Sequence, residues 1–318
     1  MNEPVIVLDH LSKSYGNVHA VQDLSLQIER GTIFGFLGPN GAGKTTTIRM
    51  LCGLTHPSGG HATIESADVW KDRQQVRTKF GYVPQRFSLY RDLTVAENFR
   101  FFGGAYGVPG PELEQRIQRL LRVIDLEEKR DTAAQSLSGG MRQLLAIGCA
   151  LIHDPRLLFF DEPTAGLDPV HRQQIWDLLY ELSSQGTTIF VTTHYMDEAE
   201  RCTEVGFLHR GSLLAKETPL RLKRRVKGEL LELHVEPVME ALVQLRNAPG
   251  VLGVALRSGR IRLYSAAPDR LLSKWQERWP FTGLKLLGHS WATPDMEDVF
   301  KAYSQGYSEI LEQSEVME

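Results

Sequence analysis

Cysteine is scarce. The 318 residues hold three, Cys52, Cys149 and Cys202, far apart and in no CxxC pair. That pattern argues against a disulfide framework or a cysteine-rich zinc site and fits a reducing compartment. Excess charge is lacking too: 36 basic residues face 39 acidic ones, a formal net charge of −3. No nucleic-acid partner held by bulk electrostatics is therefore expected. Long apolar runs are also missing. A spanning helix needs about 20 consecutive apolar residues, and the best stretch, Leu144–Ile152, is about half that. The opening, Met1–Asp9, is too short and polar for a signal peptide. If the protein works at a membrane, another chain is expected to span it. No internal repeat or low-complexity tract stands out.

The rest is ordinary for a soluble globular chain, 42% hydrophobic and 24% charged, with length enough for two domains. Thr32–Leu37, Leu157–Phe160 and Thr188–Val191 read as buried parallel strands. Each runs into polar or glycine-rich residues, where α/β folds hold ligands. Val5–Leu8 and Leu24–Ile28 suggest an antiparallel β layer. From about Thr94 to Leu151 the pattern is helical, with Leu113, Ile117, Leu120, Leu121 and Ile124 on one face. Arg221–Lys227 is a basic run, read as a solvated helix end or linker. Beyond it, Glu229–Val235 alternates as a strand and Val238–Arg246 as an amphipathic helix. Val251–Arg257 and Arg260–Tyr264 flank a Ser258–Gly259 turn, and Leu271, Trp275 and Trp279 share a helical face. The expectation is an α/β domain over 4–222, with a helical subdomain at about 94–151, and a small α+β domain over 228–310.

Two motifs carry chemistry. Gly38, Pro39, Asn40, Gly41, Ala42, Gly43, Lys44 and Thr45 fit G-x-x-x-x-G-K-[ST], between a predicted strand and a predicted helix over Thr46–Leu51. Such a loop turns its N–H groups toward phosphate oxygens, helped by the helix N-terminus. Lys44 suits the β- and γ-phosphates and the Thr45 hydroxyl suits Mg²⁺. The apolar strand Leu157–Phe160 ends in Asp161 and Glu162. Asp161 suits the shell of a hard cation and Glu162 the polarisation of an attacking water.

Between these motifs stands Ser136-Leu-Ser138-Gly139-Gly140-Met-Arg-Gln143, which resembles the signature of the ABC ATPases. The resemblance covers about residues 4–220, with seven motifs in family order. It implies a P-loop NTPase core that binds MgATP, and a head-to-tail dimer of two such subunits. In that dimer Ser138, Gly139 and Gly140 of one copy close over the nucleotide of the other. It implies that Tyr15 stacks on adenine, that Thr46 joins the phosphate loop, and that Gln85 senses Mg²⁺ and the attacking water. It further implies that Asp168 couples the two sites and that His194 contacts the γ-phosphate. His194, Glu198 and Cys202 also leave room for a metal site, and His194 for a purely structural histidine. One departure is Leu144, where many relatives carry a basic residue beside the glutamine.

The chain has one cassette and too short a stretch between Lys44 and Leu137 for a long coiled coil, unlike translation or repair members of that family. Arg86–Asn98, with Phe87, Leu89, Tyr90 and Leu93, suits docking of a partner helix, or else packing within the helical subdomain. Thr192–Cys202 and Pro294–Phe300 resemble the branch that exports drugs, lipids or polysaccharides. That resemblance implies a transmembrane permease on a separate chain, a peripheral place on the cytoplasmic face of the cell membrane, and a C-terminal accessory domain. The alternative is a soluble ABC ATPase that uses the same clamp on a ribosome or nucleic acid.

Overall fold

Alternating apolar residues build the first layer of the computed structural model, which describes residues 4–86, 88–226, 230–277, 279–307 and 310–311. β1 (Pro4–Tyr15) and β2 (Val18–Glu29) pair antiparallel, and Val21, Leu24, Leu26 and Ile28 turn inward from β2. β4 (Gly59–Ile64) and β5 (Ala67–Asp68) complete a sheet of order β2-β1-β4-β5.

The second sheet carries the short apolar runs. β3 (Ile33–Leu37), β6 (Phe80–Val83), β7 (Leu157–Asp161), β8 (Thr188–Thr193) and β9 (Glu204–His209) run parallel, and β10 (Ser212–Glu217) pairs antiparallel with β9. Among the described residues the order is β10-β9-β3-β8-β7-β6. Every residue of β3, β7 and β8 is buried, as strands covered on both faces require. Phe34, Phe36, Phe159 and Phe190 join Leu8, Leu24, Ile28 and Ile64 in one core between the two sheets.

α1 (Lys44–Leu51) follows β3, and the short α2 (Arg73–Arg77) precedes β6. The helical segment resolves into α3 (Val95–Ala105), α4 (Gly110–Val123) and α5 (Gly139–Leu151). α3 begins at a capping box, in which the Thr94 hydroxyl accepts from the Glu97 N–H and the Glu97 carboxylate accepts from the Thr94 N–H. The α4 face of Leu113, Ile117, Leu120 and Leu121 is buried. α6 (Pro169–Ser184) and α7 (Met196–Ala199) flank β8.

The chain divides into two compact units, 1–218 and 219–318. The second begins at α8 (Pro219–Arg225), so the basic run mostly forms a helix of that unit; Lys227 and Glu229 lie outside the described residues. β11 (Leu230–Glu236), α9 (Val238–Arg246), β12 (Gly253–Arg257), β13 (Arg260–Tyr264), α10 (Pro268–Glu277), β14 (Lys285–Ala292) and α11 (Met296–Ser304) follow. The sheet order β12-β13-β11-β14 makes the first six a split β-α-β arrangement. Trp279 departs from expectation: α10 stops at Glu277. Its ring reaches Trp275 from the following loop, 6.1 Å between centroids, while its indole N–H donates to the Leu284 carbonyl at 3.0 Å.

Candidate functional site

Four neighbouring parallel strands, β3, β8, β7 and β6, end side by side, and each is followed by expected site residues. Their carboxyl ends border a cavity of about 700 Å³ lined by Tyr15, Ala20, 40–46, Gln85, Glu162, Ala165, Gly166, His194 and Tyr195. The 38–46 loop follows β3 and reaches α1 through Gly43, whose φ of +111° is open to glycine and costly for other residues. Gly38 is needed for another reason: a Cβ there would run into the carbonyl of Leu208. Gly38 and Pro39 do not line the cavity; their carbonyls accept from Lys44 Nζ at 2.7 and 3.2 Å.

Lys44 is 4% exposed, and its ammonium also lies 3.3 Å from Glu162 Oε1. Glu162 Oε2 accepts from Gln85 Nε2 at 3.1 Å and lies 3.1 Å from His194 Nδ1. Residues 44, 85 and 194, from three separate segments, thus converge on one carboxylate. Glu162 has a left-handed backbone, φ +52°, uncommon for a side chain of this kind. Its N–H is anchored on the Thr192 hydroxyl at 3.0 Å.

Asp161 is buried one residue earlier. Its Oδ1 accepts from the Thr45 hydroxyl at 3.0 Å and from the Thr192 hydroxyl at 2.8 Å. Burial pushes its pKa above the usual carboxylate range, while the two hydroxyls pull it back. The paired oxygen donors Thr45 and Asp161 suit a hard cation. Tyr15 lines the cavity with 49% of its surface exposed, and Lys13 Nζ lies over its ring, 5.0 Å from the centroid.

The remaining expected residues lie elsewhere. Ser138, Gly139, Gly140 and Asp168 do not line this cavity. Ser138 caps α5, its hydroxyl accepting from the Met141 N–H at 3.2 Å. Asp168 caps α6 and meets His171 Nδ1, an interaction that lowers the Asp168 pKa. The possible metal trio of His194, Glu198 and Cys202 does not converge: His194 faces Glu162, Glu198 accepts from the Thr164 hydroxyl, and the Cys202 thiol lies 3.5 Å from the Glu198 carbonyl. In the 86–98 segment Leu89 is buried while Tyr90 is 47% exposed, its ring 4.4 Å from that of Phe101; Phe87 lies outside the described residues. The buried Asn98 amide binds the carbonyls of Tyr90, Leu93 and Thr94. Among the described residues no helix is long and apolar enough to cross a membrane.

Sequence reasoning did not single out Ala20 and Tyr195 in the cavity lining, nor Thr192, whose hydroxyl donates to the Asp161 carboxylate and accepts from the Glu162 backbone N–H. No local pattern marks Thr192, because its pairing with β7 is set by the strand order.

Residues 21–165 match the family model described as ABC transporter. The chain is 41% identical over 244 residues to a probable multidrug ABC transporter ATP-binding protein, YbhF, of Escherichia coli; the match covers 76% of this chain and 42% of that protein, less than half its length. It is 36% identical over 301 residues to the Nod factor export ATP-binding protein I of Ralstonia nicotianae, covering 93% of this chain and 92% of that one. A solved ATP-binding subunit of an ABC transporter superposes with a TM-score of 0.64 at 33% identity, covering 69% of this chain and 92% of its own. A dimeric ATP-binding cassette in a post-hydrolysis state with ADP and Pi gives 0.62 at 28%, covering 67% and 98%.

Proposed function

The chain belongs to the ABC transporter family, and from that membership we propose that it is an ATP-binding, ATP-hydrolysing subunit that drives an exporter whose transmembrane permease is a separate chain. The convergence of Lys44, Gln85 and His194 on Glu162 is the observation that carries the site assignment. Tyr15 stacks on the adenine of ATP. The N–H groups of the 38–46 loop, Lys44 and the α1 N-terminus hold the phosphates. Mg²⁺ would be held by the Thr45 hydroxyl, Asp161 and Gln85, and would supply neutralising charge to the phosphate oxygens. Glu162 orients and polarises the attacking water, and His194 holds the γ-phosphate edge.

Ser138, Gly139 and Gly140 form a capped helix N-terminus that does not line their own cavity. This supports a head-to-tail dimer of two copies in which each signature completes the partner's site and Asp168 couples the two. A solved relative of the cassette is dimeric. The half-exposed Tyr90 and Phe101 rings on the helical subdomain offer a docking surface to a permease helix. The protein then sits peripherally on the cytoplasmic face of the cell membrane. Relatives named for multidrug and Nod factor export favour export over a role on a ribosome or nucleic acid. The unit after residue 218 acts as an accessory domain that steadies the dimer or regulates turnover.

Glu162→Gln is the decisive variant. It keeps the shape and loses the charge, so ATP affinity is expected to hold while hydrolysis falls by about 10²–10⁴-fold, the range for a positioned general base. Wild-type turnover in that variant overturns the assignment.

A further inference from the structure

Glu198 is the most deeply buried carboxylate of the first unit without a part in the chemistry above. It lies four residues after His194, in α7, with 0% of its surface exposed. Its Oε1 accepts from the Thr164 hydroxyl at 2.6 Å, and its Oε2 has no hydrogen-bond partner. The nearest cation, Arg172 of α6, keeps its Nε 3.9 Å from Oε1, and that Nε also makes no hydrogen bond. A half-satisfied buried carboxylate is costly, and an apolar residue of similar size would pack there at less expense.

Its place in the chain suggests what offsets that cost. Thr164 is itself buried, two residues after Glu162 and immediately before Ala165 and Gly166, which line the cavity. On the other side of the bond, His194 and Tyr195 line the same cavity, their rings 4.1 Å apart. The Arg172 guanidinium covers the Tyr195 ring at 4.5 Å. The Thr164–Glu198 bond therefore fastens the loop after β7 to α7, the helix that follows β8. The segments leading into that bond carry the two groups, Glu162 and His194, that meet at 3.1 Å. Glu162 also has a left-handed backbone that its surroundings must hold.

We propose that Glu198 is a positioning residue for ATP hydrolysis, acting through Thr164 to keep Glu162 and His194 in register. The inference rests on the roles given to those two residues above. It predicts a loss in the chemical step and not in nucleotide binding, because the 38–46 loop and Tyr15 are not part of the tie. Small displacements of reacting groups cost about 10²-fold.

The test measures kcat and KM for MgATP on the full chain, with ATP affinity and the thermal midpoint recorded for each variant. Glu198→Ala and Thr164→Val are expected to lower kcat about tenfold to a hundredfold with KM and affinity unchanged. The double variant should lose no more than either single one, since both break one bond. Thr164→Ser and Glu198→Gln, which retain a donor and an acceptor, should restore turnover. Wild-type kcat in Thr164→Val, additive losses, or a KM that rises as kcat falls overturns the proposal. If Glu198→Ala does not fold, Thr164→Val against Thr164→Ser decides alone. Glu162→Gln run in parallel separates the two readings. If it hydrolyses normally, the site assignment fails; if it is inactive while Thr164→Val is normal, only the role of Glu198 fails.

Discussion

Asp161 shows a conflict between stability and chemistry within one side chain. Burial raises its pKa, and the neighbouring Glu162 adds to the shift; the hydroxyls of Thr192 and Thr45 offset part of it. An acid whose folded-state pKa lies above its unfolded value binds protons more tightly when folded. Stability from this group is therefore present at low pH and declines as pH rises from the unfolded value, near 3.8, through the raised folded one. Asp161→Asn is expected to melt above wild type at neutral pH, the gap closing on acidification, while Mg²⁺-dependent hydrolysis is lost. Thermal scans across pH alongside ATPase assays check both halves. A variant that melts below wild type at neutral pH contradicts the burial argument. Asp161 and Glu162 were legible because an apolar run ending in two carboxylates is a local pattern. Thr192, which binds both residues, was not, because it belongs to another strand.

At the scale of helices, α5 and α6 meet at a close contact. A Cβ on Gly140 would enter the imidazole of His171, which also engages Asp168. Gly140→Ala is thus expected to destabilise the protein by about 1–3 kcal/mol, the usual cost of overpacking. His171→Ala in the same chain should recover part of that loss by vacating the space. Urea unfolding of the two single variants and the double variant measures it, and additive losses would rule the contact out as the cause. Ser138, Asp168 and Thr94 cap α5, α6 and α3; only the helix start at Ser138 was expected, although Asp168 and Thr94 are also cap-type residues. Trp279 misled because spacing alone carries a helical face past the point where the chain leaves the helix at Glu277.

For the molecule as a whole, the relevant division falls after Thr218. Solved ATP-binding cassettes match about two thirds of this chain and nearly all of their own length. Every residue lining the candidate cavity falls in the first unit. The second unit has its own core, centred on Leu231, Leu233, Leu245, Ile261, Leu263 and Trp275. A chain truncated after Thr218 is expected to bind ATP with the affinity of the full protein, measured by calorimetry. Its dimerisation or regulated turnover should change if the second unit is the accessory domain proposed. Loss of ATP binding from the folded truncated chain would contradict this division of labour. Recovery of a multi-spanning membrane protein with the tagged chain from solubilised membranes tests the permease; ribosomal or DNA-associated proteins alone would overturn the transporter role.

The sequence by itself determined the chemistry: a phosphate loop, an acidic strand end, a strand-end histidine and a glycine signature are each written in a few consecutive residues. Tertiary structure decided how they combine. Only the strand order β3-β8-β7-β6 brings Lys44, His194 and Gln85 to the Glu162 carboxylate. The Thr164–Glu198 and Gly140–His171 contacts likewise join residues with no shared local pattern. Periodicity reports which face of an element is buried, whereas contacts across elements depend on how strands are ordered and helices packed.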